Sequence, residues 1–350
     1  MGDPCGIGPE TIIKACQASE MRQHCRPLII GQAEILRRAA RLVGADRPIV
    51  TVDSPDQQLD DPAALPCLET KNHEAIEAKP GRCDPRGGQA AYDAVVLAAE
   101  LAQRGLVDGM VTAPLSKAAL HAAGHPYPGH TELLADCCGV RDTAMMLYLE
   151  DRPSPERGNR EGWGIVHATL HMALSEIFTR LTPDRILRCA ELADTAIRRL
   201  KHHQDLQPPK IGVCALNPHA GEDGLFGREE QAILTPVVAQ AAQNGLEIEG
   251  PYPADTLIGR AHRGEFDVLI AMYHDQGHIP LKLLGMHRAV NITLGLPIVR
   301  TSASHGTAFD QAWQGTADAS GMQAAIRLAA KLSRRQAPVS SDHHASFSTR

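Results

Sequence analysis

The stretch VLIAMYHDQGHIPLK, residues 268–282, sets a short apolar run against a polar phrase and decides how this chain is built. Val268 to Met272 is apolar at every position. It lacks the alternation of a strand with one wet face, so it reads as a strand buried on both sides. His274 follows at once, in a phrase containing glycine and proline. Other short apolar runs lie on either side: 27–31, 49–52, 109–112, 144–149, 164–170, 211–216 and 290–294. Between them, helical spacing runs through 11–17, 89–104, 183–201, 229–244 and 317–334. Alternation of this kind predicts an α/β fold with a largely parallel sheet, whose ligands sit where strands end and loops begin.

Bulk properties narrow the function. The chain has 350 residues, enough for two domains, and aromatics make up only 3%, so the core must be aliphatic. A net charge of −6 and the lack of a basic stripe disfavour nucleic acid as a partner. No apolar run approaches the roughly 20 residues that span a bilayer, so no membrane partner is expected. The opening MGDPCGIGPE has neither the basic start nor the apolar stretch of a secretory leader, and a cytoplasmic location is expected. Nine cysteines without a Cys-x-x-Cys pair read as reduced thiols.

His171, His219 and His274 each follow an expected strand. They either converge on one divalent cation, leaving a position open for substrate, or are each satisfied locally. In NITLGLPIVRTSASHGTAFD, residues 291–310, Gly306 and Ala308 allow close approach of backbone to a ligand. Asp310 either accepts from the ribose hydroxyls of NAD, disfavouring NADP, or caps a turn. GDPCGIGPE reads as a loop bordering the cleft that leads into a helix near Pro9. Lys282, Arg300, Asn291 and the pair His130 and Thr131 suit an anionic substrate. The segment 150–162 reads as a surface insertion and 336–350 as a disordered tail.

Seven phrases in order, GDPCGIGPE, VTAPLSKAAL, GHTELLA, LNPHAGEDGLFGREE, GPYPADT, MYHDQGHIPLK and NITLGLPIVRTSASHGTAFD, resemble the signature stretches of the 4-hydroxythreonine-4-phosphate dehydrogenases. The likeness runs from residue 2 to about 330. HGTAFD is also similar to the wider isocitrate and isopropylmalate dehydrogenase superfamily. This resemblance implies a two-domain fold of that type, with the active-site cleft between domains. Residues 1–126 plus 298–335 would form the cofactor side, and 127–297 the metal, substrate and dimer side. It implies metal ligands at His171, His219 and His274, and substrate contacts at His130, Thr131, Asp255, Lys282, Asn291 and Arg300. Cofactor contacts would fall on Leu296, Pro297, Ser302, His305, Gly306, Thr307, Ala308 and Asp310. Lys282 is the expected proton carrier, and Asp275 the orienter or base beside His274.

The implied enzyme is a homodimer with its site at the interface, using NAD and a divalent cation such as zinc, magnesium or cobalt. It would oxidise the C3 hydroxyl of 4-phosphooxy-L-threonine. Decarboxylation would then give 3-amino-2-oxopropyl phosphate, a precursor of pyridoxal phosphate. Some features depart from the family pattern. No strand precedes GDPCGIGPE, so the expectation is either a late start codon or a lost first strand that leaves a sheet edge unpaired. Ser304 stands where Asp is usual, and Gln311-Ala312-Trp313 stands where Ile-Ala-Gly is usual, so an altered adenine pocket is expected. HDQGHIPLK together with His167 is closer to a branch acting on 4-phospho-D-threonate or 4-phospho-D-erythronate. A non-catalytic ligand-binding protein on the same scaffold is the third reading.

Overall fold

A computed structural model describes residues 1–57, 59, 61, 63–150, 162–201, 207–286 and 288–334. Its strands are β1 (Ile29–Gly31), β2 (Ile49–Val52), β3 (Leu65–Glu69), β4 (Met110–Thr112), β5 (Ala144–Glu150) and β6 (Gly162–His167). They continue with β7 (Ile211–Cys214), β8 (Ile248–Tyr252), β9 (Val268–Ala271), β10 (Ala289–Leu294) and β11 (Arg300–Ala303). The helices are α1 (Gly8–Gln17), α2 (Met21–His24), α3 (Ala33–Leu42), α4 (Pro85–Gln103), α5 (Lys117–Ala122) and α6 (His130–Cys137). After them come α7 (Leu174–Arg180), α8 (Pro183–Lys201), α9 (Thr235–Gln243), α10 (Ala254–His262), α11 (His274–Gly285) and α12 (Ser320–Ser333).

Two sheets result. A small parallel one has the order β1-β3-β2, and a large one runs β4-β11-β10-β5-β6-β9-β7-β8. The large sheet is mixed, which corrects the largely parallel expectation. β10 is antiparallel to both β11 and β5, and β5 is antiparallel to β6. The remaining pairs are parallel. Two of the three antiparallel pairs join strands that are neighbours in chain order. Glu150 of β5 pairs with Gly162 of β6, and β10 returns directly as β11.

Burial explains the strand β9. On one face Val166, Ile270 and Ile292 pack under Cys189, Ala193 and Ile197 of α8 and Leu328 of α12. On the other, Leu147, Ile165 and Leu269 pack with Trp163, Phe266 and Leu257, and with Leu281 of α11. A strand covered on both sides has no use for a polar alternation. The expected strand 164–170 begins two residues earlier and stops at His167. β3, β8 and β11 carry prolines, glutamates or an Arg-Thr-Ser run in place of an apolar signature, and sequence reading passed over them. The tail and residues 151–161 of the insertion lie outside the described residues.

The edges of the two sheets meet near the start of the chain. The Met1 amine donates to the Ile30 carbonyl at 2.8 Å, and the Asp3 amide to the Pro114 carbonyl at 2.9 Å. The phrase GDPCGIGPE therefore lies between β1 and the end of β4, then enters α1. The expected domain boundary falls between β10 and β11, inside one continuous sheet.

α4 and α5 bring the loop after β4 into place. Asp84 caps α4 by accepting from the Arg86 amide, and Ser116 caps α5 by accepting from the Ala119 amide. The helices touch through Gly88, where an added Cβ would lie 2.0 Å from the Ala119 carbonyl oxygen. Gly88→Ala should therefore force the helices apart and cost about 2 kcal/mol. Its thermal midpoint, followed by circular dichroism, should fall measurably below that of the wild type. An unchanged midpoint would show that this contact is not tight.

Candidate active site

The cavity sits on one face of the large sheet, and the sheet's register builds its floor. Thr112 pairs with Ser302, Ser302 with Asn291, and Asn291 with Leu147. Laterally paired residues point to the same face, so these four form one row across four strands. All four line an open cavity of about 300 Å³. Its walls come from the loop after β4, the start of α6, the residues after β6, and α11.

Arg300 is the strongest feature of that wall. It is 2% exposed. Nη1 donates to Thr293 Oγ1 at 2.9 Å and Nη2 to Thr112 Oγ1 at 2.6 Å, while Nε has no partner among the described residues. Burial pulls its pKa down to about 10, and the Glu132 carboxylate opposes that shift. A buried guanidinium bonded only to hydroxyls is costly unless an anion completes it.

Other buried polar atoms here also lack partners. His130 Nε2, Asn291 Oδ1 and His305 Nε2 have none among the described residues. Burial, then the charge of Arg300, holds the His130 pKa well below its ordinary value, and a hydrogen bond to the Ala113 backbone opposes this. A neutral His130 bonded to a carbonyl presents Nε2 as an acceptor. The wall thus offers an incomplete cation beside two acceptors, His130 Nε2 and Asn291 Oδ1. That set suits a ligand carrying both an anion and hydroxyl or ammonium donors.

The helix α11 supplies a second array. His274, His278 and Lys282 recur at four-residue spacing, share one face, and all line the cavity. Asp275 Oδ1 lies 2.7 Å from His274 Nδ1. A carboxylate there holds the proton on Nδ1 and frees Nε2 as a donor to a metal or ligand. The His171 ring centroid is 5.8 Å from that of His274. Burial, then the charges of Lys117 and His274, holds the His171 pKa below its ordinary value, which suits a neutral ligand imidazole.

The third expected metal ligand is not with them. His219 is exposed on a one-turn segment, Pro218–Gly224, with its ring beside Phe226. His219, Ala220, Glu222 and Asp223 all have positive φ, between 44° and 53° for Glu222, Asp223 and His219 and 54° for Ala220. Such residues are strained, commonly by about 1–3 kcal/mol each. Buried Glu230 pins the turn's entry by accepting from the Leu216 and Asn217 amides at 2.9 and 2.7 Å. Among the described residues no three His, Cys, Asp or Glu side chains of one chain are grouped to hold a metal.

The other expected residues divide. Thr131, Lys282, Asn291, Arg300, Ser302, His305 and Gly306 line the cavity, together with His130, His171 and His274. Asp255 does not; it is exposed at the start of α10 and its Oδ1 accepts from the Thr256 amide. Leu296 and Pro297 line a separate, more apolar cavity of about 250 Å³, formed by the loop after β10. Thr307 accepts from the Ile7 amide, Ala308 has φ 44°, and Asp310 is exposed. Trp313 lies under the N-terminal loop, donating from Nε1 to the Pro4 carbonyl at 2.9 Å with Arg38 over its ring. Sequence reading missed Lys117, Glu132 and His278 as lining residues; only His278 carried a usable signal, its four-residue step from His274.

Comparison with known proteins agrees with this geometry. The family profile described as pyridoxal phosphate biosynthetic protein PdxA matches residues 23–329. The D-threonate 4-phosphate dehydrogenase of Salmonella typhimurium is 43% identical over 343 residues, covering 95% of this chain and 97% of its own. The 4-hydroxythreonine-4-phosphate dehydrogenase of Geobacter metallireducens is 42% identical over 334 residues, covering 95% and 94%. A crystal structure of the Klebsiella pneumoniae 4-hydroxythreonine-4-phosphate dehydrogenase superposes with a TM-score of 0.82 at 40% identity, covering 95% of this chain and 98% of that one. With the likeness extending over nearly the whole chain in sequence and in fold, this protein belongs to the PdxA family and is an oxidoreductase, a dehydrogenase acting on a hydroxyl group.

Proposed function

We propose that this chain uses NAD to oxidise the C3 hydroxyl of a four-carbon acid phosphorylated at C4, and that the resulting β-keto acid loses carbon dioxide. Two kinds of acid meet this description. 4-Phosphooxy-L-threonine would give 3-amino-2-oxopropyl phosphate, for pyridoxal phosphate synthesis. 4-Phospho-D-threonate and 4-phospho-D-erythronate are counterparts with a hydroxyl at C2. The observation that carries the reading is Arg300, buried with no carboxylate hydrogen-bonded to it among the described residues, beside unpartnered His130 and Asn291. Such a wall fits a ligand with an anionic group and vicinal donors.

A dehydrogenase of this family uses a nicotinamide cofactor, and we assign NAD over NADP because Asp310 would repel a 2′-phosphate. The unpartnered His305 Nε2 and the open space at Gly306 are consistent with a cofactor along this loop. Bound there, the nicotinamide would supply the hydride acceptor. We place the domain boundary between β10 and β11 and the enzyme in the cytoplasm, as its metabolic role suggests.

The metal fits in part. His171 and His274 face one cavity, with Asp275 orienting the second. A divalent cation held there would stabilise the substrate oxygen as it loses its proton. Lys282 is our candidate to carry that proton, since it lines the same wall. Arg300 and Lys282 would hold the phosphate and carboxylate, and His130 and Asn291 would accept from the hydroxyl side.

The third ligand, His219, is supplied in this proposal by a second copy. Apolar side chains crowd the elements involved: Leu225 beside His219 is 74% exposed, and Leu283 on α11 is 83% exposed. Phe226, Ile279, Met286, Leu174 and Phe178 are exposed as well. Exposed apolar side chains of this size suit an association surface, and a two-fold dimer would let each His219 turn reach the other chain's cavity.

NADH formation from both kinds of acid, measured before and after chelation, tests the reaction. Turnover should vanish on chelation and return with zinc, magnesium or cobalt; no turnover of either kind by folded protein would sink the reading. Shared sites have their own test. His219→Ala and His274→Ala dimers should each be inactive. Random mixing should restore about a quarter of the wild-type rate, because half the dimers would hold one intact site. No recovery on mixing would place His219 in its own chain's site.

A further inference from the structure

Two buried histidines have no part in the chemistry above. His167, at the end of β6, is 0% exposed, and His278, on α11, is 8% exposed. They bond to one another, with His278 Nδ1 and His167 Nε2 3.0 Å apart. His167 Nδ1 faces the Met145 carbonyl oxygen at 3.4 Å. A carbonyl only accepts, so the His167 proton sits on Nδ1 and its Nε2 carries a lone pair. His278 Nδ1 must then be the donor between the two rings. The other nitrogen of His278, Nε2, is left as an acceptor.

The ring has little freedom. It stacks on His274 with centroids 3.8 Å apart and planes 13° apart. The close fit extends to Gly277, where an added Cβ would lie 2.4 Å from His167 Nε2. His278 Nε2 has no side-chain partner among the described residues, and the ring lines the cavity between His274 and Lys282. A clamped acceptor at this place faces whatever is bound beside His274.

We propose that His278 is a specificity-determining residue: its Nε2 accepts a hydrogen bond from a hydroxyl at C2 of the substrate, and so favours a 2,3-dihydroxy acid phosphate over a 2-amino one. This rests on the reaction proposed above and deepens it. A hydroxyl needs one acceptor, which His278 provides. An ammonium carries three donors and a charge, and is costly to desolvate without a carboxylate. Around this cavity the charged lining residues are Lys117, Lys282 and Arg300 against the single carboxylate of Glu132. A second cationic group on the ligand would add to that excess, whereas a hydroxyl would not.

The test pairs substrate changes with side-chain changes. The substrates are 4-phospho-D-threonate, its 2-deoxy counterpart, and 4-phosphooxy-L-threonine. His278→Asn keeps an amide near the Nδ1 position, and so the bond to His167, but withdraws the cavity acceptor. His278→Gln restores an acceptor near Nε2. Wild-type kcat/KM should favour the threonate over the 2-deoxy acid by about tenfold, the worth of one neutral hydrogen bond. It should also favour the threonate over the amino acid. His278→Asn should erase the deoxy preference, and His278→Gln should retain it. Equal discrimination in wild type and His278→Asn would overturn the proposal, as would a wild-type preference for the amino acid. Turnover of none of the three would instead sink the reaction reading.

Discussion

The pairing register of β10 is the constraint on which the site depends. Asn291 meets Ser302 on one side and Leu147 on the other, and Ser302 meets Thr112. Thr293 and Arg300 then lie opposite one another on the same face, joined by a side-chain hydrogen bond. Side chains alternate along a strand, so a slip of β10 by one residue would send Asn291 and Thr293 into the core now filled by Val290 and Ile292. That core is apolar and packed by α8 and α12, so the slip would bury an amide among aliphatic groups and take Thr293 away from Arg300. Burial of the apolar face therefore fixes the polar face, and through it the place of Arg300.

The helix α11 is set by a comparable fit. Gln276 accepts from the Met272 amide and donates to the Ala215 carbonyl, tying the helix start to β9 and to the residue after β7. Gly277 lets the helix approach His167, and Leu281 enters the core behind it. With those contacts made, His274, His278 and Lys282 have one direction to face. The His219 turn is different in kind. Its backbone is strained and held from one side by Glu230, and its ring lies beside Phe226, outside the lining of its own chain's cavity. Strain kept at such a place is consistent with a role outside that chain's own cavity, as the proposed dimer requires.

Much of this was legible in the sequence, for identifiable reasons. Residues 183–201 read as a helix and fold as one with those bounds, because the apolar spacing is regular and the segment packs on one side only. Val268 to Met272 read as a doubly buried strand, and the strand found ends one residue earlier, at Ala271. His274 stood out because it directly follows that strand. β11 did not stand out, since Arg300, Thr301 and Ser302 are polar yet buried, and the distant partners of Arg300 Nη2 and Thr301 Oγ1 leave no trace in the local pattern. Asp255 shared a familiar phrase with the site residues but is exposed and does not line the cavity of its own chain. The grouping of Thr112, Asn291 and Ser302 depends on strand register between distant segments, and that register is written in the core, not in the motif. Whether His219 meets His171 within a chain or between chains is likewise absent from spacing.

In the proposed reaction Arg300 is a buried cation that the ligand's anion completes. Calorimetric titration of 4-phospho-D-threonate into wild-type protein and Arg300→Met, without cofactor, tests it most directly. The variant should fold but bind more weakly by at least about tenfold, as expected for a lost charge-assisted hydrogen bond. Equal affinity in the two proteins would contradict it, and would assign the anion to Lys117 or Lys282.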